Sequence, residues 1–352
     1  MENKILFTEN NYTIREHTGI TPQAIEFFES IAWGNEGAIY ENRNTRNHIR
    51  LLHNPMLLAI HEDEEIRATG VYCETPVTVD EMEFNCKYFK YVASSKKIRG
   101  KGVMKRYMAK IMTLIRNDES AKTIYFACVE RANKPSYKLL SGGGYVNVGT
   151  VKTVGFSRFF PKTSPSIEQV KSQKDQKEVL KILKNEYKSH ALVQFNSIFM
   201  KDNYYVIREN DEIVAGCQYH RGHWVINQMT GFIGKIVMNV VPLIPILNQV
   251  FNPKRFEFLT FEGIYFKAGY EDKLHTLFEH LLAKENLKSA MYWMGETCPV
   301  RGRIEKAGKQ GLIHTFIKDN DVIVMAAFEN MDKAEIQAVH NQPLFASGFD
   351  YT

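Results

Sequence analysis

The stretch KKIRGKGVMKRYM, residues 96–108, sets two glycines two apart at the head of a basic, apolar-striped segment, and its reading decides the fold. Val103, Tyr107, Ile111 and Ile115 form one apolar line, with Met104, Met108 and Met112 beside it at the same four-residue spacing. That spacing predicts a helix opening at the second glycine, its stripe packed on a core. The other face carries Lys101, Lys105, Arg106 and Lys110, and from Lys96 to Lys110 there are seven basic residues and no acidic one. A glycine loop that opens a helix after a strand presents unpaired N–H groups and the positive end of the helix dipole, and both favour a phosphate. The surrounding cations add long-range attraction. A Walker loop needs G-x-x-x-x-G-K-[ST], which is absent. A dinucleotide fingerprint needs a third glycine where Lys105 stands.

The strand in front adds a second clue. In EFNCKYFKYVA, residues 83–93, Phe84, Cys86 and Tyr88 alternate with polar residues, and then the apolar phase slips to Phe89, Tyr91 and Ala93. A one-residue slip within a long strand predicts a β-bulge, which splays the strand from its neighbour and frees backbone N–H groups.

A repeat organises the whole chain. Residues 57–73, LLAIHEDEEIRATGVYC, and 204–220, YYVIRENDEIVAGCQYH, match without a gap at Ile60/Ile207, Glu62/Glu209, Glu65/Glu212, Ile66/Ile213, Ala68/Ala215 and Tyr72/Tyr219. Both read as strand, acidic turn, strand. After the first copy come the 83–93 strand, the glycine loop and its helix, the strand TIYFACV (123–129) and a short helix ending at SGGGY (141–145). After the second come the strand FEGIYF (261–266), a KAGY loop, the helix 271–287, the strand SAMYWM (289–294) and a short helix ending near GKQGL (308–312). Between the copies, FFPKTSPSIEQVKSQKDQKE (159–178) has the composition of a linker. The expected organisation is two related α/β domains, 1–158 and 179–352, joined by 159–178.

Bulk properties fit that division, since 352 residues exceed what one core usually supports. A hydrophobic fraction of 44%, a charged fraction of 24% and a net charge of +5 describe an ordinary globular protein and give no case for nucleic acid. The five cysteines, Cys73, Cys86, Cys128, Cys217 and Cys298, form no C-x-x-C, so neither a disulfide framework nor a zinc site is expected. The N-terminal stretch MENKILFTENN has no apolar signal region, and a cytoplasmic location is expected. The apolar segment 231–251, GFIGKIVMNVVPLIPILNQVF, is interrupted by Lys235, Asn239, Pro242, Pro245 and Asn248, so it reads as a buried or bridging segment and no membrane partner is expected.

On these residues the sequence resembles the GNAT superfamily of acyl-CoA N-acyltransferases, closely over 11–158 and weakly over 177–330. The family's pyrophosphate loop reads Q/R-x-x-G-x-G/A, and Arg99-Gly100-Lys101-Gly102-Val103-Met104 matches except at Met104. Downstream, Asn133, Ser136 and Gly144-Tyr145 fall in register, while Leu140 occupies the family's usual tyrosine position. The resemblance implies an α/β mixed sheet in two tandem GNAT-like domains, the second degenerate. It implies acetyl-CoA, or another acyl-CoA, as co-substrate and no metal. Ile98, Arg99, Gly100, Lys101, Gly102, Val103 and Met104 would wrap the diphosphate, Val92 and Ala93 would hold the pantetheine arm and thioester carbonyl, and Asn133 would contact the pantetheine.

Acyl transfer to an amine needs a proton acceptor, donors for the oxyanion and an acid or good solvation for the thiolate. Glu130 is the first choice of base, ahead of Glu74 and Glu83, and Tyr137, one turn before Leu140, is the candidate acid. The segment 32–46 lines the acceptor side by resemblance, where Trp33, Tyr40, Glu41 and Arg43 offer aromatic and charged contacts. In the second copy, Glu271 and Asp272 at the helix start would repel a diphosphate, so that domain is expected not to bind CoA. His220, Arg221, His223 and Trp224 cluster there without a third metal ligand, favouring a structural or surface role.

The expected function is an N-acetyltransferase acting on a primary amine, small-molecule or peptide, with a homodimer compatible. A non-catalytic acyl-CoA-binding or scaffolding protein is the alternative, favoured by Leu140 and Met104. The acceptor and the acyl-chain length are not legible, because acceptor pockets lie in variable loops.

Overall fold

The computed structural model describes residues 3–34, 37–117, 119–317 and 320–351. The first half opens with β1 (Asn3–Glu9), β2 (Tyr12–Thr18), α1 (Pro22–Glu29), β3 (Trp33–Gly34), β4 (Ala38–Asn42) and α2 (Thr45–Ile49). It continues through β5 (Pro55–Glu62), β6 (Glu65–Glu74), β7 (Val77–Val79), β8 (Met82–Ser94), α3 (Val103–Asn117), β9 (Thr123–Glu130), α4 (Lys134–Gly142) and β10 (Val146–Ser157). The second half runs β11 (Ile167–Gln169), α5 (Gln173–Glu186), β12 (Tyr204–Glu209), β13 (Glu212–Met229), α6 (Gly231–Asn239), α7 (Pro245–Asn248) and β14 (Phe256–Phe266). It ends with α8 (Glu271–Lys284), β15 (Ser289–Gly295), α9 (Pro299–Ala307), α10 (Leu312–Ile317), β16 (Asp321–Glu329) and α11 (Lys333–Asn341).

The sequence repeat becomes two equivalent hairpins. Asp63 and Glu64 turn the first with φ of 51° and 62°, and Asn210 and Asp211 turn the second with φ of 49° and 64°, the doubly left-handed turn that suits a tight hairpin. Each hairpin has its register shift at the same place, between Ile60 and His61 and between Ile207 and Arg208. The next strands keep the correspondence. β6 and β8 pair Thr69 with Ala93 but Val71 with Lys90, so β8 carries an extra residue, and Tyr91 takes φ 50° there. β13 and β14 pair Gly216 with Tyr265 but Gln218 with Glu262, with Gly263 at φ 58°. The slip read from the alternation of β8 is therefore a real bulge, and its counterpart in β14 employs a glycine.

Along the main sheet the strand order is β1-β2-β5-β6-β8-β9-β16-β10-β15-β14-β13-β12-β11. Each half lends its last strand to the other. β16 pairs with β9 from Val322↔Glu130 to Glu329↔Thr123, and β10 pairs with β15 from Val151↔Gly295 to Ser157↔Ser289. β4 also pairs with β13, bringing the 38–42 segment of the first half onto the second. The stretch 159–178 is ordered in its later part: Ile167–Gln169 pairs with β12, and Ser172 accepts the Asp175 N–H to start α5, which buries Val179 and Leu183.

α3 and α8 cover one face of each half. The α3 stripe read from the sequence is buried as expected, with Tyr107 fully enclosed and Val103, Ile111 and Met112 in the same core as Ile98. Burying each such side chain contributes about 1.5–3 kcal/mol, which fixes where the loop before α3 lies. The segment 231–251 forms α6, a 3-10 turn and α7, and among the described residues no helix is long and apolar enough to cross a membrane. Val237, Val241, Val250 and Phe251 face inward, but the opposite side is exposed rather than buried.

Candidate functional site

The loop 95–102 turns twice through left-handed glycines. Gly100 and Gly102 have φ of 79° and 76°, and a Cβ at either would meet only open space, so backbone conformation and not crowding calls for glycine. Ile98 anchors the loop to the core, while Lys96, Lys97, Arg99 and Lys101 stand exposed. The first bond into α3 runs from Arg106 N–H to the Gly102 carbonyl at 2.9 Å. The N–H groups of Val103, Met104 and Lys105 thus precede the helical ladder and point out of the helix end. Met104 is half-buried against the core, so its size is absorbed without closing that end.

β8 and β9 run parallel and paired only from Asn85↔Thr123 to Phe89↔Ala127. Beyond Phe89, where Tyr91 makes the bulge, no pair joins Val92 or Ala93 to Val129 or Glu130 among the described residues. The strands part there, and two adjoining cavities fill the parting. One of about 170 Å³ touches Tyr88, Phe89, Lys90 and Tyr91 on β8, with Trp33 and Tyr40 above. The other, of about 290 Å³, reaches Glu130 at the end of β9 and continues under the second half against Met229, Phe251, Phe256 and Met291. Tyr40, Cys128, Trp224, Trp293 and Asp350 line both.

Glu130 lines the larger cavity, and its carboxyl is held above the ordinary carboxylate range by burial. Among the described residues its carboxylate has no hydrogen bond or ion pair. The other two acids of that cavity are partnered: Asp321 with Lys152 at 2.8 Å and Arg131 at 3.0 Å, and Asp350 with Lys90. Burial lifts Asp350 above its usual range despite that ammonium. Trp293 donates its Nε1–H to Thr153 Oγ1 at 3.1 Å, and Trp224 stacks on Tyr40 with ring centres 4.2 Å apart.

The remaining predicted residues separate into two groups. Trp33 and Tyr40 reach the cavities, whereas Glu41 and Arg43 pair with each other at 2.7 Å and line neither. Asn133 caps α4, its Oδ1 accepting the Ser136 N–H at 3.1 Å. Tyr137 packs on the first-half core beside buried Leu140, away from both cavities. Glu74 and Glu83 are exposed and line neither, Glu74 lying 3.6 Å from Lys87. Sequence reasoning did not find Lys90, Trp293 or Asp350. They meet only because β16 and β10 exchange halves and carry the chain end back to β8, and no local pattern signals that.

The second half has the same parting without the opening. β14 and β15 pair only at Leu259↔Ala290 and Thr260↔Met291 and then diverge. The gap is filled by the chain's own residues 344–348. A Cβ on Gly295 would lie 2.5 Å from the Leu344 carbonyl oxygen, and one on Gly348 2.3 Å from that of Phe261. Only about 20 Å³ is left there. The loop before α8 carries one left-handed glycine, Gly269, and the first turn of α8 carries the two acids Glu271 and Asp272, Asp272 pairing with Lys309 at 2.6 Å. His220 is structural: its Nε2 lies 2.8 Å from Glu262 Oε2, while Ser197 donates to Glu262 Oε1 at 2.6 Å. Burial opposes a charged Glu262, yet these bonds hold its carboxyl below the ordinary range. Among the described residues no group of three or more candidate ligands could hold a metal.

The sequence model of the acetyltransferase (GNAT) family matches residues 24–144. No curated protein sequence matches the chain significantly. Among solved structures, N-myristoyltransferase of Saccharomyces cerevisiae with bound myristoyl-CoA and inhibitors has a TM-score of 0.61 at 10% identity, covering 93% of this chain and 82% of that one. The same yeast enzyme with bound myristoyl-CoA gives 0.61 at 9% identity, covering 93% and 81%, and a further crystal structure of it gives 0.56 at 10%, covering 94% and 87%. At such identities the likeness is one of fold, and it extends over both halves. Residues 24–144, which hold the parted β8 and β9 and the glycine loop before α3, match the acetyltransferase (GNAT) family, and over the whole chain the fold is two GNAT-like halves joined in one sheet.

Proposed function

We propose that the chain is an acyl-CoA-dependent N-acyltransferase whose one working site lies in the first half, most simply moving acetyl from acetyl-CoA to a primary amine. The observation that carries this reading is the contrast between the two partings: that of β8 and β9 is open behind a glycine loop, and that of β14 and β15 is filled by residues 344–348. In this account the loop 98–104 wraps the diphosphate, with the N–H groups of Val103 and Met104 at the start of α3 turned to it and Arg99 and Lys101 adding charge, while the N–H groups of Ile98, Arg99 and Lys101 close the loop on itself. The unpaired edge of β8 at Val92 and Ala93 holds the pantetheine and polarises the thioester carbonyl, with Asn133 close to the arm.

The amine attacks the thioester carbon and must lose a proton. Glu130, raised by burial and unpaired, takes it directly or through a water. The C–S bond then breaks and the thiolate leaves as CoA. Trp33 and Tyr40 line the acceptor side, while Glu41 and Arg43 pair with each other on the segment that carries Tyr40 and are not assigned a contact with the acceptor. Tyr137, turned to the core, is not assigned the acid. The second half takes no CoA and serves as the far wall of the cavity.

A second reading concerns the acyl group alone. The 290 Å³ cavity, with its Met229, Phe251, Phe256 and Met291 wall, favours an acyl chain longer than acetyl, and the yeast enzyme of like fold was solved with myristoyl-CoA.

The test is release of free thiol from acetyl-CoA and from longer acyl-CoAs against a panel of amines. Amine-dependent release that Glu130→Gln suppresses supports the proposal. Tight binding with no release for any amine returns the chain to the role of a binding module.

A further inference from the structure

The 231–246 segment, whose inner side packs in one core with the cavity residues Phe251 and Phe256, has a second apolar face, and that face is bare. Phe232 is 80% exposed, Ile236 38%, Val240 46% and Leu243 79%, with Ile244 and Ile246 continuing the patch. The first four recur every three to four residues, so they form one stripe on α6 and the 3-10 turn after it. The opposite stripe, Val237 and Val241, is buried against the cavity wall formed with Phe251 and Phe256. A helix apolar on both sides is covered on both sides in its working state. Elsewhere on the described surface, large exposed apolar side chains stand singly, as Phe160 does.

Charge says what covers it. From Ile213 to Phe256 the sequence contains no Asp or Glu, and it carries Arg221, Lys235, Lys254 and Arg255. Arg221 and Arg255 are engaged by Glu257, but among the described residues Lys235 and Lys254 are exposed and have no acidic partner. A second copy seated on this face through a two-fold axis would set Lys235 and its neighbours against their own counterparts. An anionic bilayer accepts both features at once, since the aromatic and aliphatic stripe enters the acyl–headgroup boundary while the lysines meet the headgroups.

We propose that the 231–246 face is a docking surface for an anionic lipid membrane, on which the protein lies without spanning it. This departs from the sequence-based expectation of no membrane partner, which was drawn against a spanning helix. Because the inner side of the same segment packs in one core with Phe251 and Phe256, which line the larger cavity, docking brings that cavity's wall close to the bilayer.

Vesicle flotation of the full chain tests this, with phosphatidylcholine vesicles alone and with phosphatidylserine added. The wild type is expected to float with the phosphatidylserine vesicles, and Phe232→Ser/Leu243→Ser to partition at least roughly tenfold less, with unchanged thermal midpoint. Phe160→Ser, equally exposed but outside the patch, is expected to float as the wild type does. Lys235→Glu/Lys254→Glu and raised salt are expected to weaken flotation. The proposal falls if the wild type stays in the aqueous fraction with both vesicles, binds both equally, or is unaffected by the double substitution. It also falls if sedimentation velocity shows a dimer that Phe232→Ser/Leu243→Ser dissolves, which would assign the face to a second copy.

Discussion

Glu130, the base in the proposed function, lines the larger cavity without a side-chain partner among the described residues, a position unfavourable for a purely structural carboxylate. Burial without a partner raises its pKa, so the folded protein holds a proton there more tightly than the unfolded chain does. Stability from this group is therefore greatest below the unfolded value of about 4.3 and is lost as pH rises from there through the raised folded value. Glu130→Gln is expected to raise the thermal midpoint at pH 7, with the gain fading below about pH 4. The same variant is expected to lose about 10²–10⁴-fold in kcat/KM and the acidic limb of its pH profile, a limb that in the wild type lies above the ordinary carboxylate range. A lower midpoint at pH 7, or a retained limb, would remove Glu130 from the role. Sequence pointed to this residue only as the carboxylate ending a strand. Its isolation depends on Arg131 turning to Asp321, a strand of the other half.

At the scale of elements, much was legible because it is periodic. The α3 stripe, the repeated hairpins and the phase slip in β8 are patterns of spacing, and backbone geometry enforces spacing. The filled parting of the second half was not legible, because nothing in Leu344-Phe345-Ala346 marks it as a plug; only the closeness of Gly295 and Gly348 to neighbouring backbone does. Two predictions belong here. Leu344→Ala, at a side chain 4% exposed, is expected to cost about 2–5 kcal/mol in denaturant unfolding and to lower activity by loosening the path that delivers Asp350 beside Lys90. Gly295→Ala is expected to destabilise as well, since its Cβ would lie 2.5 Å from the Leu344 oxygen, while Gly302→Ala, which meets open space on α9, is expected to be neutral or slightly stabilising. Equal effects of the two glycine substitutions would contradict the close packing of 344–348 on β15.

For the whole molecule, the exchange of β10 and β16 makes each half incomplete alone. A fragment ending at residue 158 would leave β9 and β10 on either side of a missing strand, with two long edges exposed. It is expected to aggregate or stay unfolded, and the full chain to unfold in one calorimetric transition with matching van't Hoff and calorimetric enthalpies. Two separate transitions would mean that the shared strands do not couple the halves. The sequence shows two related halves but not this exchange, since strand order is a long-range property. The larger cavity, walled by both halves, is hidden from sequence for the same reason.

The central claim is that the glycine loop of the first half holds an acyl-CoA. Isothermal titration of acetyl-CoA into the wild type and into Gly102→Glu, at low and moderate salt, tests it most directly. Residue 102 is exposed, and its φ of 76° with a carboxylate at the helix start opposes a diphosphate by both geometry and charge. The account predicts binding by the wild type that weakens with salt and is lost in Gly102→Glu. Absence of binding by a folded wild type, or undiminished binding by the variant, would contradict it.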